Sequence, residues 1–333
     1  MIRIKGCAAA LCLALLAAPA AAQAPWVSTR YPQDASKWWW DDAWWEHGRM
    51  PGAANHEVGT REAAYRRGDV EVPVEVLSPQ GAGRFPVVVF LHGRRGIDPV
   101  TRLAPLRLAA RGFTVVVPDL YSGRFIAPYP IRHDEALEDD AARAIDFALS
   151  LPEARGQAKT CVVSHTRGGY YALKALVTKG RQAKTACYVS YYPHWQHPEA
   201  PEPEQVYRYA AEVDALTLPV LVFLGEHEQY QRARSILAGI ESLQKMKRDA
   251  RVIVYPGVGR AFDFRPREVR TFADDLAAQD ALRRTAEFIR RHLPLNPFAA
   301  SDGSRSRRCS RAPMRARMSP RSSGTSTSPT RAG

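Results

Sequence analysis

Cysteine is scarce in this sequence and unevenly placed. Of five cysteines, Cys7 and Cys12 lie within the first 22 residues, so the rest of the chain keeps only three. Because three is an odd number, even an oxidising compartment would not by itself imply a disulfide framework. Cys161 and Cys187 occur in apolar, strand-like runs, and we therefore expect buried free thiols that pack as small hydrophobic side chains.

A long apolar run is also missing, even at the N terminus. Two basic residues precede a short apolar run, which gives way to small residues up to Ala22. This order is typical of a secretory signal, and we assign residues 1–24 to one, with cleavage near Ala22 or Ala24. A transmembrane anchor fits less well, because the run is too short and contains Pro19. We therefore expect a chain that is secreted across the inner membrane and is periplasmic or extracellular.

The C-terminal end has few large apolar side chains. From Ser301 onward there is no Leu, Ile, Val, Phe, Tyr or Trp, whereas Ser, Arg and Pro are abundant. Such a segment cannot bury a face, so we predict that residues 297–333 form a disordered basic tail. The tail carries seven of the 13 net positive charges and the signal two, which leaves four for the body. Since no aromatic residues lie between the arginines of the tail, we expect no nucleic-acid partner.

Between the two ends, apolar runs alternate with helix-like segments. Residues 69–77 alternate apolar and polar side chains, as in a half-buried strand, and Pro73 predicts an edge or a bulge there. Runs typical of strands buried on both faces follow at 86–92, 113–119, 159–164, 186–192, 218–226 and 251–257. Helix-period segments lie near 100–111, 134–150, 168–179, 231–247 and 268–292. This alternation predicts one α/β domain over residues 56–296, with a mostly parallel central sheet and helices on both faces.

Sites in such sheets form beyond the carboxyl ends of the strands, so the residues that follow the apolar runs are the first candidates. Four segments qualify: HGRRG at 92–96, SHTRGG at 164–169, GEHEQY at 225–230 and YPGVGRAF at 255–262. In this order they resemble the dienelactone hydrolase family of α/β hydrolases. The resemblance extends from about residue 64 to 293 and includes LAARGFTVVVPDLYSG at 108–123.

The resemblance implies an α/β-hydrolase fold and a hydrolase of a small-molecule ester, lactone or carboxylate, without a cofactor or a metal. The family places a Cys or Ser nucleophile in the middle of a strand–turn–helix elbow, an acid in a G-E-x-D segment and a histidine base in Gly-x-Gly-His. Matched position by position, these three slots fall on Thr166, Glu228 and Arg260. The backbone donors of the oxyanion hole would belong to Arg167 and to Gly93 or Arg94.

The base slot departs furthest from the family pattern. A hydroxyl nucleophile needs a neighbour that takes its proton near neutral pH, whereas an arginine stays protonated at any useful pH. Thr166 is a second departure, because a β-branched residue at positive φ strains the elbow. We expect Arg260 and Glu228 to form an ion pair where the imidazole and the carboxylate normally meet.

Two interpretations of the neighbouring polar residues stay open. One is a rewired relay, in which Ser164 or Thr166 is the nucleophile and one of three histidines is the base (His92, His165 or His227). The other concerns four arginines that would lie near one crevice and predict a carboxylate or phosphate ligand (Arg94, Arg95, Arg167 and Arg260). Arg94 and Arg95 could equally be solvated loop arginines.

His194 and His197, in PHWQHP, could suggest a metal pair. No third ligand is evident in the sequence, and the flanking prolines deny the pair a helix. We therefore interpret both as ordinary loop histidines.

Residues 25–55 form a Trp-rich N-terminal extension. Its segment DASKWWWDDAWWEHGRMP, at 34–51, contains five of the seven tryptophans. Asp34 or Ser36 can cap a helix that Gly48 and Pro51 end. We expect this helix to pack across the body and fill a groove; a lid, a sugar-stacking surface and a membrane contact are the alternatives.

Taken together, these features predict an exported dienelactone-hydrolase-like protein whose turnover by the usual relay is absent or poor. Two alternatives remain. The chain is either an active carboxylic ester hydrolase that uses atypical residues, or a non-catalytic binding protein for a small anionic ligand.

Overall fold

The structure is a computed structural model that describes residues 26–28, 42–266 and 269–294. Its described strands form one nine-stranded sheet: β1 (Trp26–Ser28), β2 (Val58–Arg67), β3 (Val70–Pro79), β4 (Val87–Leu91), β5 (Thr114–Pro118), β6 (Thr160–His165), β7 (Thr185–Tyr191), β8 (Val220–His227) and β9 (Ala250–Gly259). Their order is β1-β9-β8-β7-β6-β4-β5-β3-β2. Across the sheet, the first six neighbouring pairs, from β1–β9 to β4–β5, are parallel. β3 pairs antiparallel with both β5 and β2.

The apolar runs are the central strands. Every residue of β4, β5 and β6 is buried, because helices cover the sheet on both faces, and this explains the absence of alternation in those runs. The predicted α/β architecture is confirmed. β2 is a strand that the sequence did not predict: it lies at the sheet edge and is polar, with Tyr65 its one buried residue.

Pro73 does not mark an edge or a bulge, so that prediction is wrong. β3 lies between β2 and β5, and Pro73 pairs regularly with Ala64 of β2. The carbonyl of Pro73 accepts a hydrogen bond from the Asp119 N–H (2.8 Å), just beyond the end of β5. In an antiparallel strand the N and O of one residue point to the same side. The nitrogen of Pro73 therefore faces the point where the pairing with β5 ends, so proline costs at most the return hydrogen bond to Asp119, beyond the last paired residues of the ladder.

Seven α-helices of the described residues surround the sheet: α1 (Asp42–His47), α2 (Leu103–Ala110), α3 (Ala136–Ser150), α4 (Gly168–Leu173), α5 (Glu202–Tyr207), α6 (Tyr230–Lys245) and α7 (Phe272–His292). α4 continues into a π-helical turn at Lys174–Thr178. α7 begins with a capping box, in which Thr271 accepts from the Asp274 N–H and the Asp274 side chain accepts from the Thr271 N–H. No described helix is long and apolar enough to span a membrane.

Cys161 and Cys187 form a disulfide, so the prediction of two free thiols is wrong. The two cysteines are Cα partners on the adjacent parallel strands β6 and β7, with 4.8 Å between their Cα atoms. This separation lies within the range that a disulfide bridges. Both side chains are fully buried, near the amino ends of β6 and β7 and away from the carboxyl ends where the candidate site begins.

The end of the Trp-rich segment packs into the body, as predicted. α1 contacts α2, and Trp44 and Trp45 are 0% and 5% exposed. The Arg107 guanidinium lies 4.8 Å and 4.3 Å from the centroids of these two rings, and Trp44 Nε1 donates to Asp275 Oδ1 (2.7 Å). The other three tryptophans of the segment, like the predicted signal at 1–24 and tail at 297–333, lie outside the described residues.

Gly48 ends α1 where the chain must pass very close to α2. Its φ is +68°, and a Cβ at this position would lie 2.8 Å from the Arg107 Cα atom. Both the left-handed conformation and the close approach require glycine. The sequence prediction that Gly48 helps to end the helix is confirmed.

Candidate functional site

Thr166 occupies a sharp turn between β6 and α4. Its φ is +48°, and its carbonyl accepts from the N–H groups of Gly169 (3.0 Å) and His194 (2.8 Å). Its own N–H donates to the Tyr191 carbonyl (3.2 Å). A β-branched residue in this conformation costs about 1–3 kcal/mol, so the predicted strain of the elbow is present.

Small residues allow this turn to form. A Cβ at Gly168 would lie 2.2 Å from the Leu91 carbonyl oxygen, and one at Gly169 would lie 2.6 Å from Pro193 Cβ. A Cβ at Gly93 would lie 1.8 Å from Thr166 Oγ1. The Thr166 hydroxyl is therefore packed against the loop that follows β4, which is the predicted oxyanion loop.

Arg260 and Glu228 form the ion pair that the sequence predicted. Arg260 Nη1 donates to Glu228 Oε1 (3.0 Å), and Arg260 Nη2 donates to the Tyr192 carbonyl (3.2 Å). The Glu228 side chain is 0% exposed and the Arg260 side chain 22%. Glu228 Oε1 also accepts from the Gln229 N–H (2.9 Å). The side chains at the acid and base positions of the family, Glu228 and Arg260, are thus bonded to each other and not to a nucleophile.

No histidine among the described residues accepts a hydrogen bond from Thr166 Oγ1, and two of the three alternative bases lie in unsuitable places. The His92 ring is fully buried, where its Nε2 accepts from the Leu120 N–H (3.1 Å). His227 is exposed at the end of β8. Ser164 is not a nucleophile either, because its buried hydroxyl bonds Ser190 Oγ (2.7 Å) beneath the sheet edge.

His165 is the exception, because an acid stands behind it. His165 Nε2 lies 3.3 Å from Asp263 Oδ2, and the Tyr192 hydroxyl also donates to Asp263. Burial lowers the pKa of His165 despite the attraction of Asp263. Its Nδ1 is buried without a hydrogen-bond partner among the described residues. The ring lines the cavity beside Thr166, but neither ring nitrogen engages the threonine hydroxyl.

Strain accumulates around this point of the sheet. Tyr192, directly after β7, has φ +36°, and Ala261, directly after Arg260, has φ +65°. Thr166, Ala261 and Tyr129, whose φ is +62°, line the cavity, and Tyr192 contacts the lining residue Arg260 through its carbonyl. Such strain persists only where the surrounding contacts enforce it, and it is common at functional sites.

A cavity of about 380 Å³ opens above Thr166. Four arginines line it (Arg94, Arg95, Arg232 and Arg260), and apolar contact comes from Tyr129, Ala261 and Phe264. Arg94 and Arg95 are half-buried, so the cavity-lining interpretation is favoured over solvated loop arginines. Arg167, the other arginine that the sequence placed near this crevice, does not line the cavity. Arg95 pairs with Asp98, whereas Arg94 donates to the backbone carbonyls of Tyr129 and Pro130.

Backbone donors remain available beside the threonine. The N–H groups of Arg167 and Arg94 donate to none of the described residues. These are two of the groups that the sequence predicted for an oxyanion hole. Substitution of side chains does not remove such donors.

His194 and Arg232 are site residues that the sequence analysis missed. His194 is 9% exposed and lines the cavity, so it is not the ordinary loop histidine that we expected. Burial, and then the charges of Arg232, Arg260, Arg167 and Arg94, lower its pKa well below the usual range. The position of His194 directly after an apolar strand was the signal that could have identified it. His197, by contrast, is exposed.

The parallel sheet, the elbow after β6 and the oxyanion loop after β4 define an α/β hydrolase. The family model described as "Dienelactone hydrolase family" matches residues 72–293. The chain therefore belongs to the dienelactone hydrolase family.

Solved structures share this fold at low sequence identity. A Klebsiella pneumoniae protein assigned to the dienelactone hydrolases is 18% identical, with a TM-score of 0.53 over 70% of this chain and 98% of that one. A dienelactone hydrolase-like promiscuous phosphotriesterase from metagenomic libraries is 17% identical, with a TM-score of 0.54 over 71% and 98%. A thermostable carboxylesterase from a metagenomic library is 17% identical, with a TM-score of 0.56 over 71% and 90%. None of the curated proteins matches the sequence.

Proposed function

We propose that this protein is an exported member of its family that binds a small anionic ester, lactone or carboxylate, with little or no turnover by the family's relay. The Arg260–Glu228 ion pair carries the proposal. A guanidinium cannot accept the proton of a nucleophile near neutral pH, and the Thr166 hydroxyl has no other base in contact among the described residues.

The cavity supports an anionic ligand. Its described wall contains four arginines and no carboxylate side chain. Guanidinium groups recognise carboxylate and phosphate oxygens through paired hydrogen bonds. The backbone N–H groups of Arg167 and Arg94 add donors beside Thr166.

The Cys161–Cys187 disulfide supports the export part of the proposal. Disulfides persist in oxidising compartments and are rare in the cytosol. Cell fractionation, with mass spectrometry of the mature N terminus, tests this part. We expect a periplasmic or secreted chain that begins near residue 23 or 25, whereas an intact N terminus on a cytosolic chain would contradict export.

The test of the missing relay is labelling of the purified protein with a fluorophosphonate, combined with p-nitrophenyl acetate hydrolysis. We expect no labelling, and the same residual rate for the wild type, for Thr166→Ala and for the exposed control Thr60→Ala. A rate that falls in Thr166→Ala but not in Thr60→Ala would establish Thr166 as a nucleophile.

A second candidate is an active ester hydrolase that uses atypical residues, and the buried His165–Asp263 pair favours it. In that case His165→Gln would abolish hydrolysis that the wild type performs. We expect His165→Gln to leave the residual rate unchanged, because the ring does not contact the threonine hydroxyl.

A further inference from the structure

The arginines around the cavity are not all neutralised by the protein. Asp98 pairs with Arg95 and Glu228 pairs with Arg260. Arg94 donates only to backbone carbonyls, and Arg232 donates to the Gln196 side-chain carbonyl. Neither has a carboxylate partner among the described residues, so the cavity wall carries two uncompensated positive charges.

Arg167, the residue after Thr166, adds a third charge near the cavity, although it does not line the cavity and its guanidinium interacts with the Tyr171 hydroxyl. Its side chain is 6% exposed. Its Nε and Nη1 atoms are buried and make no hydrogen bond to any described residue. A buried guanidinium with unused donors is costly unless a ligand or another partner satisfies it.

Three of these arginines line the cavity together with His194 (Arg94, Arg232 and Arg260). The four guanidinium groups that lower the pKa of His194 are those of Arg232, Arg260, Arg167 and Arg94. Burial lowers the pKa of Arg232 to about 10; repulsion from Arg260, Arg167 and Arg94 contributes, and the attraction of Glu228 offsets part of it. Several like charges around one cavity, of which two are paired with carboxylates, disfavour the empty cavity and favour an anion of more than one charge.

We propose that the arginine cluster formed by Arg94, Arg232 and Arg260, with Arg167 nearby, binds the phosphoryl group of a phosphate monoester. The inference rests on the proposed function, in which the cavity holds a small anion, and specifies the chemistry of that anion. A carboxylate brings one charge, and two carboxylates separate their charges along a chain. A phosphoryl group places nearly two charges and three acceptor oxygens at one point, which matches several guanidinium groups that line one cavity.

The rest of the cavity fits the organic part of such an ester. The volume of about 380 Å³ exceeds what a phosphoryl group fills, and Tyr129, Ala261 and Phe264 supply apolar wall. We therefore expect a monoester with a small aromatic or aliphatic group rather than free phosphate.

Calorimetric titration of the purified full chain at pH 7.5 tests the proposal with four probes. They are phenyl phosphate, benzoate, succinate and inorganic phosphate. We expect the Kd for phenyl phosphate to be at least tenfold lower than those for benzoate and succinate, and lower than that for inorganic phosphate. Equal affinity for inorganic phosphate and phenyl phosphate would overturn the preference for an ester.

Variants on one helix locate the binding. Arg232→Gln should raise the Kd for phenyl phosphate at least tenfold, and Arg232→Lys should raise it less because the charge is kept. Arg234→Gln is the matched control, since this exposed residue of α6 bonds Tyr230 outside the cavity. It should leave the Kd unchanged.

The wild-type comparison decides the proposal even where a variant fails to fold. If benzoate binds as tightly as phenyl phosphate, the phosphoryl inference is wrong and the proposed binding of an anion stands. If none of the four anions binds, both are wrong. An Arg232→Gln variant that folds and binds phenyl phosphate normally would also overturn the inference.

Discussion

The ion pair between Arg260 and Glu228 should stabilise the fold, so that removal of one partner lowers the free energy of unfolding. The Glu228 side chain is 0% exposed, and its Oε2 atom has no hydrogen-bond partner among the described residues. Arg260→Met would leave this carboxylate buried and uncompensated, which typically costs about 3–5 kcal/mol. For a domain of this size that loss corresponds to a Tm lower by at least about 6 °C.

A double-mutant cycle measures the coupling. Urea unfolding of the wild type, Arg260→Met, Glu228→Gln and the double variant gives the four free energies. We expect the double variant to recover most of the loss, because the buried charge has been removed. The exposed pair Arg251–Asp249, with side chains 54% and 39% exposed, is the control, and its coupling should be below about 1 kcal/mol. If Arg260→Met costs the same with or without Glu228→Gln, the reasoning is refuted.

Three further predictions concern stability. The disulfide between Cys161 and Cys187 closes a sequence separation of 26 residues, so its reduction should cost about 3.5 kcal/mol on the chain-entropy scale; a urea midpoint insensitive to reductant would contradict this. Burial lowers the pKa of four histidines (His92, His165, His194 and His292), so below about pH 6.5 the unfolded chain binds more protons than the folded chain and stability falls. Burial raises the pKa of Asp275 to about 6, so between about pH 6 and pH 4 the folded chain binds one proton that offsets one of those taken up by the unfolded chain. Calorimetry from pH 7.5 to pH 5 should show a falling Tm. A constant or rising Tm would be inconsistent with this balance. Trp44→Phe removes the hydrogen bond to Asp275 and should cost about 1–3 kcal/mol in urea unfolding, whereas no change would show that the contact is unimportant.

The central strands could be predicted from the sequence because burial on both faces produces an uninterrupted apolar run. A strand with helices on both sides is apolar at every position, as in β4, β5 and β6. β2 left no such trace, since an edge strand exposes polar side chains. The disulfide could not be predicted because it depends on the register between β6 and β7, which a single sequence does not encode.

The candidate site could be predicted where its residues follow strands directly. Thr166, Glu228 and Arg260 all do, and the structure places an ion pair at the last two. Arg232 was missed because it lies within α6, where an arginine resembles any solvated helix residue. Asp263 was missed because its contact with His165 joins residues 98 positions apart through the packing of a loop.

The central claim is that a permanent cation stands where a proton must be exchanged. The rate of p-nitrophenyl acetate hydrolysis by Thr166→Cys, compared with the double variant Thr166→Cys/Arg260→His, tests it most directly. A positioned base typically contributes about 10²–10⁴-fold, so we predict a value of kcat/KM at least 100-fold higher for the double variant, with a bell-shaped or sigmoid pH profile near neutrality. Equal rates for the two variants, or a wild type as fast as the double variant, would contradict the claim.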